Sequence, residues 1–327
     1  MLTPVPSLET FPRLLADIGG TNARFAWVDA PGAPLRACAN YRGAEHVSLA
    51  AAVEAYLESQ ALPRPQALAI GIAYPISGDE VRMTNGAWSF SISGLQRELG
   101  LKRLTVINDF AALALGIPDL KAAQLHALGP GEAVAGAPLA VIGAGTGLGV
   151  AGLMPLPGGG WWPVSGEGGH ATLAGLDDFE DAVIARLRRR FGHVSAERAL
   201  SGPGLVNLYQ ACTELNGQPV ISLEPAEVLG RSEAGDATAA QAIALFCGFL
   251  GSMAGNVTLT LGARGGVYIG GGIAPRLLKE LRSSTFRSRF EGKGRLSGFL
   301  APIPCHVIDA AVSPALEGAS RALDLGL

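Results

Sequence analysis

Cysteine is scarce in this sequence, and its spacing excludes several classes of protein. The chain has 327 residues and only four cysteines, which are Cys38, Cys212, Cys247 and Cys305. No two of them form a C-x-x-C pair. Structural zinc sites use closely spaced cysteines, and disulfide frameworks are typical of short, cysteine-rich secreted chains. The sequence therefore argues against both kinds of protein.

Charge is sparse as well. Charged residues make up 16% of the chain, and the formal net charge is −3. No run contains five or more like charges; the nearest, RLRRRF at 186–191, lies in a helical pattern and is typical of a solvated helix face. Without an excess of positive charge or a basic patch, we expect no nucleic-acid partner.

Residues 133–166 contain no charge at all, a length that raises the question of a membrane span. The same stretch holds ten glycines and four prolines, including PLPGGGWWP, which a single spanning helix would not tolerate. We interpret it as buried strands and loops. The beginning of the sequence also lacks the order of charged, apolar and small residues that is typical of a signal peptide. These features predict a cytoplasmic protein with no membrane partner.

Glycine, by contrast, is abundant. The 45 glycines are about twice the number usual for a chain of this length, and they lack the every-third-residue spacing of collagen. They therefore indicate turns and close backbone approaches. With 48% hydrophobic residues, the chain is predicted to be globular, and its length suggests two domains, or one large domain with an insertion.

Apolar runs alternate with helical patterns along the chain. Strand, glycine turn and second strand are predicted at 13–30 and 138–156, and strand, glycine turn and helix at 265–282. Further β-rich runs occur at 66–76 and 104–109, and helical patterns at 91–100, 177–191, 236–261 and 315–323. Strands that alternate with helices predict an α/β fold in which helices cover mostly buried sheets.

Two of these glycine turns share one plan. Aligned on Gly20-Thr21 and Gly145-Thr146, they lie 125 residues apart, and each has an apolar strand on either side. A spacing that large does not suggest a solenoid, whose repeats recur every ~20–50 residues. It suggests two related domains, each presenting a glycine turn to a shared cleft, although chance similarity of two glycine-rich turns is the alternative.

The glycine turns suit phosphate binding better than they suit a dinucleotide fold. No G-x-x-x-x-G-K-[ST] motif occurs, and GAGTGLG at 143–149 places its third glycine one residue late for G-x-G-x-x-G, with a strand following where a helix is needed. A turn without side chains lets phosphate oxygens approach backbone N–H donors, to which a threonine hydroxyl adds another. Asp17, at the end of a predicted strand, can hold the water shell of Mg²⁺. A tight hairpin with no ligand is the structural alternative.

A polar pair interrupts the apolar run LTVINDFAAL at 104–113. Asn108 and Asp109 stand between a predicted core strand and the start of a helix. Both residue types are common helix N-caps, so capping is the simplest explanation of this stretch taken alone.

Seven motifs occur in an order that resembles a known family. They are LADIGGTNARFAWV, AYPISGDEVRMTNGAWSFS, VINDFAALALGIP, GAGTGLGVA, SGEGGHATLA, GHVSAERALSGPGLVNLY and GGVYIGGGIAPR. Together they resemble the bacterial ATP-dependent glucokinase family, of the hexokinase and actin-like ATPase superfamily, from about Leu14 to Gly318. The sister branch of repressor/ORF/kinase type carries a cysteine-rich zinc motif after the sugar-binding segment. No cysteine lies between Cys38 and Cys212, which disfavours that branch.

The resemblance implies an architecture. We expect an α/β fold of two actin-like (ribonuclease H-like) domains around a central cleft. The smaller domain would span residues 1–119 and be completed by a C-terminal helix at 311–327, and the larger would span 120–310. A homodimer is also implied by the family.

The resemblance also implies a sugar site. Asp109 would be the base that takes the proton from the sugar's 6-hydroxyl, and Asn108 would hydrogen-bond neighbouring hydroxyls. Glu167, His170 and Glu197 would contact the O1 to O3 edge of the sugar. Taken outside the motifs, His170 can be a core histidine and Glu197 an acid in the first turn of a helix. Thr84 and Asn85 are weaker candidates.

For ATP, the resemblance implies three backbone turns. The phosphates would lie along Ala16, Asp17, Ile18, Gly19, Gly20 and Thr21, with Gly145 and Thr146 opposite. Gly271 and Gly272 would face the adenosine, where a helix N-terminus follows. Asp17 would hold Mg²⁺ indirectly, through a metal-bound water.

The implied function is a cytoplasmic glucokinase that uses ATP and Mg²⁺ to convert glucose to glucose 6-phosphate. The nearest alternative is a kinase of mannose, fructose or N-acetylglucosamine. A sugar-responsive transcription regulator would need a helix-turn-helix, for which only sixteen residues precede Asp17. A non-catalytic actin-like ATPase that polymerises is the third alternative, and it would not need the predicted sugar residues.

Overall fold

The computed structural model describes residues 8–74, 76–83 and 88–327. Within them the strands are β1 (Arg13–Ile18), β2 (Asn22–Val28), β3 (Arg36–Arg42), β4 (Ala67–Ile72), β5 (Glu80–Arg82), β6 (Ser89–Ser91), β7 (Arg103–Asn108), β8 (Leu125–Ala127), β9 (Leu139–Ala144), β10 (Leu148–Pro155), β11 (Trp161–Gly166), β12 (Val267–Gly270) and β13 (Cys305–Ile308). The helices are α1 (Leu49–Ser59), α2 (Ile92–Glu98), α3 (Asp109–Gly116), α4 (Asp178–Phe191), α5 (Gly202–Leu215), α6 (Pro225–Glu233), α7 (Ala237–Leu261), α8 (Leu278–Ser283), α9 (Phe286–Glu291), α10 (Ser297–Leu300) and α11 (Pro314–Leu325). The predicted alternation of strands and helices is confirmed.

The chain forms two compact units. The first comprises Met1–Ala122, Gly152–Ser165 and Ala310–Leu327, and the second comprises Ala123–Ala151 and Gly166–Asp309. Residues 152–165, which the sequence-based division assigned to the larger domain, group with the first unit.

The first unit is built on a sheet with strand order β3-β2-β1-β4-β7. β1 pairs antiparallel with β2 and parallel with β4, and β4 pairs parallel with β7. All six residues of β1 are buried, because the sheet is covered on both faces. Leu14, Ala16 and Ile18 belong to one core cluster, and Leu15 belongs to another that includes residues of α11, as the alternation of side chains along a strand requires.

Helices α3 and α11 approach each other at their backbones. A Cβ added at Gly318 would lie 1.7 Å from the carbonyl oxygen of Ala112 and 2.9 Å from the nitrogen of Gly116. One added at Gly116 would lie 2.1 Å from the carbonyl oxygen of Pro314. Only glycine permits this contact, which packs α11 against the helix that begins at Asp109.

Gly318→Ala is therefore expected to destabilise the protein. Alanine favours a helix over glycine by about 1 kcal/mol, but the added methyl group would collide with the backbone, and overpacking costs about 1–3 kcal/mol or more. The midpoint of chemical denaturation should fall. Gly230→Ala is the matched control, since it lies in α6 and its Cβ would meet no atom within 4 Å. A denaturation midpoint for Gly318→Ala at or above that of Gly230→Ala would contradict the close approach.

The second large sheet has strand order β11-β10-β9-β12-β13-β8. β9, β12 and β13 are parallel, and β8 closes the edge antiparallel to β13. The order from β11 to β13 repeats the order from β3 to β7 in the first unit. Residues 139–166 form three strands of this sheet, which confirms the prediction of strands in the charge-free stretch.

Helix α7 is the long apolar helix of the second unit. It spans 25 residues and is long and apolar enough to cross a membrane, but 78% of its most apolar window is buried inside the protein. Its residues belong to the core cluster of the second unit, among them Phe246, Phe249 and Leu250, each 0% exposed. Burial in this core accounts for its composition.

His306, on β13, lies opposite Tyr268 on β12, with ring centroids 5.7 Å apart. Within the described part of the chain its Nδ1 is buried with no hydrogen-bond partner. Burial lowers the pKa of His306 from its usual value, because an imidazolium loses hydration there.

A pH dependence follows from His306. A lowered folded-state pKa means that the unfolded chain binds the proton more readily, so the contribution of His306 to stability is present above its unfolded pKa of ~6.5 and is lost as the pH falls. Between pH 7 and pH 5, Tm should fall less for His306→Phe than for the wild type. The same change at the exposed His193 is the control. An equal fall in Tm between pH 7 and pH 5 for the wild type and His306→Phe would contradict the prediction.

Candidate active site

The carboxyl edge of the first sheet collects two of the predicted motifs. Ile18, Ile72 and Asn108 are register partners at the ends of the parallel strands β1, β4 and β7. Neighbouring strands lie about 4.8 Å apart, so the backbones of Ile18 and Asn108 are separated by roughly 10 Å. The turn that follows Ile18 and the pair Asn108-Asp109 therefore share one edge, where ligands of open α/β sheets bind.

The glycine turn of the first unit is a tight β1–β2 hairpin. Gly19 N donates to Asn22 O at 2.9 Å, and Gly43 N donates to Thr21 O at 3.0 Å. Thr21 is exposed, whereas the side chains of Ala16 and Ile18 are buried. Ala16 and Ile18 can thus meet a phosphate only through their backbones.

Asp17 has a partner that the sequence did not indicate. Its side chain is 10% exposed, and its Oδ2 accepts a hydrogen bond from Arg24 Nη1 at 3.0 Å. Arg24 lies directly across the hairpin in the β1–β2 register and is 45% exposed. The carboxylate at the end of β1 is thus already oriented by a cation.

Asn108 and Asp109 occupy different positions at the start of α3. Asn108 is the N-cap of α3, and its Oδ1 accepts from Phe110 N at 2.9 Å and from Ala111 N at 3.1 Å. Its amide nitrogen remains as a donor. Asp109 is the first residue of the helix, and its Oδ1 also accepts from Phe110 N at 2.9 Å. The capping interpretation is confirmed for Asn108, and the helix N-terminus stabilises the negative charge of Asp109.

Gly71 allows α3 to lie close to the sheet. It sits in β4 between Asp17 on β1 and Ile107 on β7. A Cβ at this position would lie 2.9 Å from the Cβ of Ala112 and 3.6 Å from the Cα of Asp109. An isolated glycine inside a strand pattern is the sequence signal for such an approach, although we did not predict Gly71 as part of the site.

In the second unit, two glycine turns follow adjacent parallel strands. Gly143 on β9 pairs with Gly270 on β12, where a Cβ at Gly143 would lie 2.5 Å from the backbone of Gly270. Gly145 N donates to Gly147 O at 2.8 Å and closes the turn that presents the exposed Thr146. Gly271 has a φ of +81°, and a Cβ there would lie 2.3 Å from the carbonyl oxygen of Ala144. The turns predicted for phosphate and adenosine are therefore neighbours.

The helix predicted after the adenosine turn begins as a 3-10 helix. A 3-10 turn at Ala274–Leu277 follows Gly272, and α8 begins only at Leu278. Ile273 N reaches the carbonyl oxygen of Ala144 at 3.4 Å, which holds this segment against β9 before the helix starts. No α-helix N-terminus stands directly beside Gly271 and Gly272 within the described chain.

Three of the predicted sugar residues, Glu167, His170 and Glu197, lie on two paired segments of the second unit. Glu167 precedes a 3-10 turn that ends at His170, and both residues are exposed, so the alternative of a core histidine is wrong for His170. Ala196 N donates to Ala171 O at 2.8 Å, next to a β-bridge between Thr172 and Ser195. This pairing brings the segment of Glu197 beside that of His170.

Glu197 does more than occupy the first turn of a helix. It lies in a 3-10 turn, Ala196–Arg198, and is partly buried. Its Oε2 accepts a hydrogen bond from Leu148 N at 2.9 Å, directly after the turn that carries Thr146. Sequence reasoning missed this contact because the two residues are 49 positions apart. The weaker candidates Thr84 and Asn85 lie outside the described residues.

Comparison with known proteins relates these features to one family. A protein-family model described as Glucokinase matches residues 14–325. The glucokinase of Aromatoleum aromaticum is 52% identical over 326 residues, which is 99% of this chain and 98% of that protein. The chain belongs to the glucokinase family.

Solved structures that are similar to this chain include glucokinases. A glucokinase from an Antarctic psychrotroph has a TM-score of 0.85 at 35% identity and covers 95% of this chain and 98% of its own. A ROK family glucokinase from Streptomyces griseus, in complex with glucose and AMPPNP, has a TM-score of 0.64 at 19% identity, with 95% and 98% covered; it supports the fold alone. The fold class, with its actin-like ATPase architecture, is confirmed, and the chain is a sugar kinase. The roles of individual residues stay predictions.

Proposed function

We propose that the chain transfers the γ-phosphoryl group of ATP to the 6-hydroxyl of glucose, giving glucose 6-phosphate and ADP. The observation that supports the proposal most is that two predicted motifs lie at the same carboxyl edge of the first sheet. There the Asp17–Thr21 turn lies two strands from Asn108 and Asp109. A phosphate-binding turn and a carboxylate at one edge can hold a phosphoryl donor and orient a hydroxyl acceptor.

Asp109 acts as the general base in this proposal. Phosphoryl transfer passes through a loose transition state, so positioning and charge stabilisation supply most of the catalysis. The Asp109 carboxylate accepts the proton of the 6-hydroxyl, and the amide nitrogen of Asn108 donates to a neighbouring hydroxyl. Capping by Asn108 Oδ1 fixes the direction in which that nitrogen points.

Glu167, His170 and Glu197 form the sugar-recognition set. Sugar hydroxyls donate to carboxylates, and a site built on such hydrogen bonds strongly rejects analogues that lack them. The glucokinase from Streptomyces griseus is solved with glucose and AMPPNP, a ligand pair of the class proposed here. The turns at Gly145-Thr146 and Gly271-Gly272 take the phosphates and the adenosine.

The residues of the first edge fit Mg²⁺ carried by a nucleotide. Asp17 Oδ2 accepts from the Arg24 guanidinium at 3.0 Å, and its other carboxylate oxygen, Oδ1, can accept from a metal-bound water. Among the described residues no group of three or more His, Cys, Asp or Glu can hold a metal ion, which suits an ion that keeps its waters and takes phosphate oxygens. Asp17 is the proposed ligand, through a metal-bound water. When bound, the ion neutralises charge on the phosphates.

The proposal extends to the setting of the reaction. We propose that the enzyme acts in the cytoplasm, at the entry of glucose into glycolysis, and as a homodimer. All four cysteines are free thiols, as is usual in a reducing compartment, which supports the cytoplasmic location. The family resemblance supports the homodimer, which analytical ultracentrifugation can test.

A substrate panel tests the function. ATP-dependent phosphorylation of glucose, mannose, fructose and N-acetylglucosamine is measured in a coupled assay with Mg²⁺ present. Glucose should have the highest kcat/KM. A higher kcat/KM for another hexose would replace the proposed substrate, and turnover of no sugar would overturn the kinase proposal.

A further inference from the structure

The segment that carries Glu197 contacts both the phosphate turn of the second unit, residues 145–147, and the loop of His170. Glu197 Oε2 accepts from Leu148 N at 2.9 Å, directly after that turn. Further along the same segment, Gly202 N donates to Gly145 O at 2.8 Å. The segment that carries Glu197 is therefore hydrogen-bonded at both ends of the phosphate turn.

The same segment is bonded to the sugar loop. Ala196 N donates to Ala171 O at 2.8 Å, and Thr172 and Ser195 form a β-bridge. The residues immediately before Glu197 thus hold the loop of His170, and those after it hold the phosphate turn. Glu197 stands at the junction of the two.

Gly147 makes room for the carboxylate. A Cβ at Gly147 would lie 2.5 Å from Glu197 Oε2, so any side chain there would displace the carboxylate. The backbone of Gly147 is not in the left-handed region, and the atom in the way is the end of a flexible side chain. Alanine can therefore be accommodated at this position if Glu197 moves.

We propose that Glu197 is a positioning residue for the phosphate turn and thereby couples sugar binding to nucleotide binding. This inference rests on the proposed function, in which Glu197 contacts the sugar. A carboxylate has two oxygens and about four acceptor sites. Oε2 accepts a hydrogen bond from Leu148 N, and the remaining acceptor sites of the carboxylate accept hydrogen bonds from sugar hydroxyls. Bound sugar then holds the Glu197 carboxylate that positions the phosphate turn, and bound nucleotide holds the turn that positions the carboxylate for the sugar. The coupling between the two ligands is reciprocal.

The first test measures glucose affinity without nucleotide, by calorimetry. Gly147→Ala, a change in the phosphate turn, should raise the Kd for glucose about fivefold or more, the equivalent of one hydrogen bond. In the Glu197→Ala background the same change should have no further effect, because the displaced group is already gone. An unchanged Kd for Gly147→Ala, or equal effects in both backgrounds, would overturn the inference.

The second test measures nucleotide affinity without sugar, with a fluorescent ATP analogue and Mg²⁺. Glu197→Ala should weaken binding about three- to tenfold. Glu197→Gln should retain wild-type nucleotide affinity, since its amide oxygen can accept from Leu148 N, while its glucose affinity falls. A general structural defect would not produce this split. Equal nucleotide affinities for Glu197→Ala and the wild type would overturn the inference.

The wild-type result separates the two proposals. If the wild type binds glucose and the variants fail to show the coupling, the inference is wrong while the proposed function stands. If the wild type binds no hexose at all, the proposed function and the inference both fail.

Discussion

Asp109→Asn is expected to lower kcat for glucose phosphorylation by about 10²–10⁴, the usual contribution of general-base catalysis. The amide is nearly the same size as the carboxylate, and its oxygen can still accept from Phe110 N, as Asp109 Oδ1 does at 2.9 Å. Helix α3 keeps its N-cap, because Asn108 Oδ1 supplies it. The loss should therefore fall on turnover, with the Kd for glucose changed much less.

Asp178→Asn is the matched control for this prediction. It makes the same chemical change at an exposed position in the first turn of α4, outside the proposed site. Its kcat should equal that of the wild type. If Asp109→Asn also turns over normally, Asp109 serves the helix N-terminus alone, and another group must take the proton.

The carboxyl edges of the two sheets were predictable from the sequence. The apolar runs before Gly19 and Gly145 are fully buried strands, and each glycine turn follows where its strand ends. These signals are local: burial on both faces demands a continuous apolar run, and a tight turn demands small residues. The repeat of the two hairpins predicted two related domains, and the two large sheets share one strand order.

The contacts that complete the site were not predictable, because they depend on tertiary structure. In the sequence, nothing distinguishes Arg24 from any other arginine in a predicted strand. The β1–β2 register places it beside Asp17. Glu197 meets Leu148 N across 49 residues of sequence. Hydrophobic periodicity specifies which face of an element is buried, but it does not specify which polar groups meet once two buried elements pack.

The two large sheets have the same strand plan, and different parts of the proposed chemistry lie beside each. In each, an antiparallel hairpin is extended by parallel strands, and the proposed ligand-binding turns follow the carboxyl ends of those strands. Asp109, the proposed base, lies in the first unit, and Glu167 and Glu197, the proposed sugar-recognition carboxylates, lie in the second. The shared topology explains why similar glycine turns recur although the catalytic groups differ.

A buried ion pair links elements of the second unit. Glu180 in α4 and Arg289 in α9 have side chains 6% and 10% exposed and form a bidentate pair, with Arg289 Nη2 3.1 Å from Glu180 Oε2. Glu180 Oε2 also accepts from Leu176 N at 2.8 Å, and Arg289 Nε donates to Ser252 Oγ at 2.9 Å. The pair thus joins three helices and the loop before α4.

Glu180→Ala is expected to destabilise the protein by about 3–5 kcal/mol, because it leaves the Arg289 guanidinium buried without its counter-charge. At roughly 2–4 °C per kcal/mol for a unit of this size, Tm should fall by on the order of 10 °C. Scanning calorimetry measures the shift. Glu54→Ala is the control, since it breaks a pair with Arg64 whose side chains are 46% and 62% exposed, and such pairs contribute about 0–1 kcal/mol.

A double variant separates the charge from the packing. Glu180→Leu with Arg289→Met removes both charges and keeps most of the side-chain volume, and replacing a buried pair in this way is often neutral or stabilising. Its Tm should recover most of what Glu180→Ala loses. If the double variant is as unstable as Glu180→Ala, the hydrogen bonds to Leu176 and Ser252 hold these helices together, and the ion pair itself contributes little. If Glu180→Ala matches the Glu54→Ala control, the pair is not buried as the structure shows.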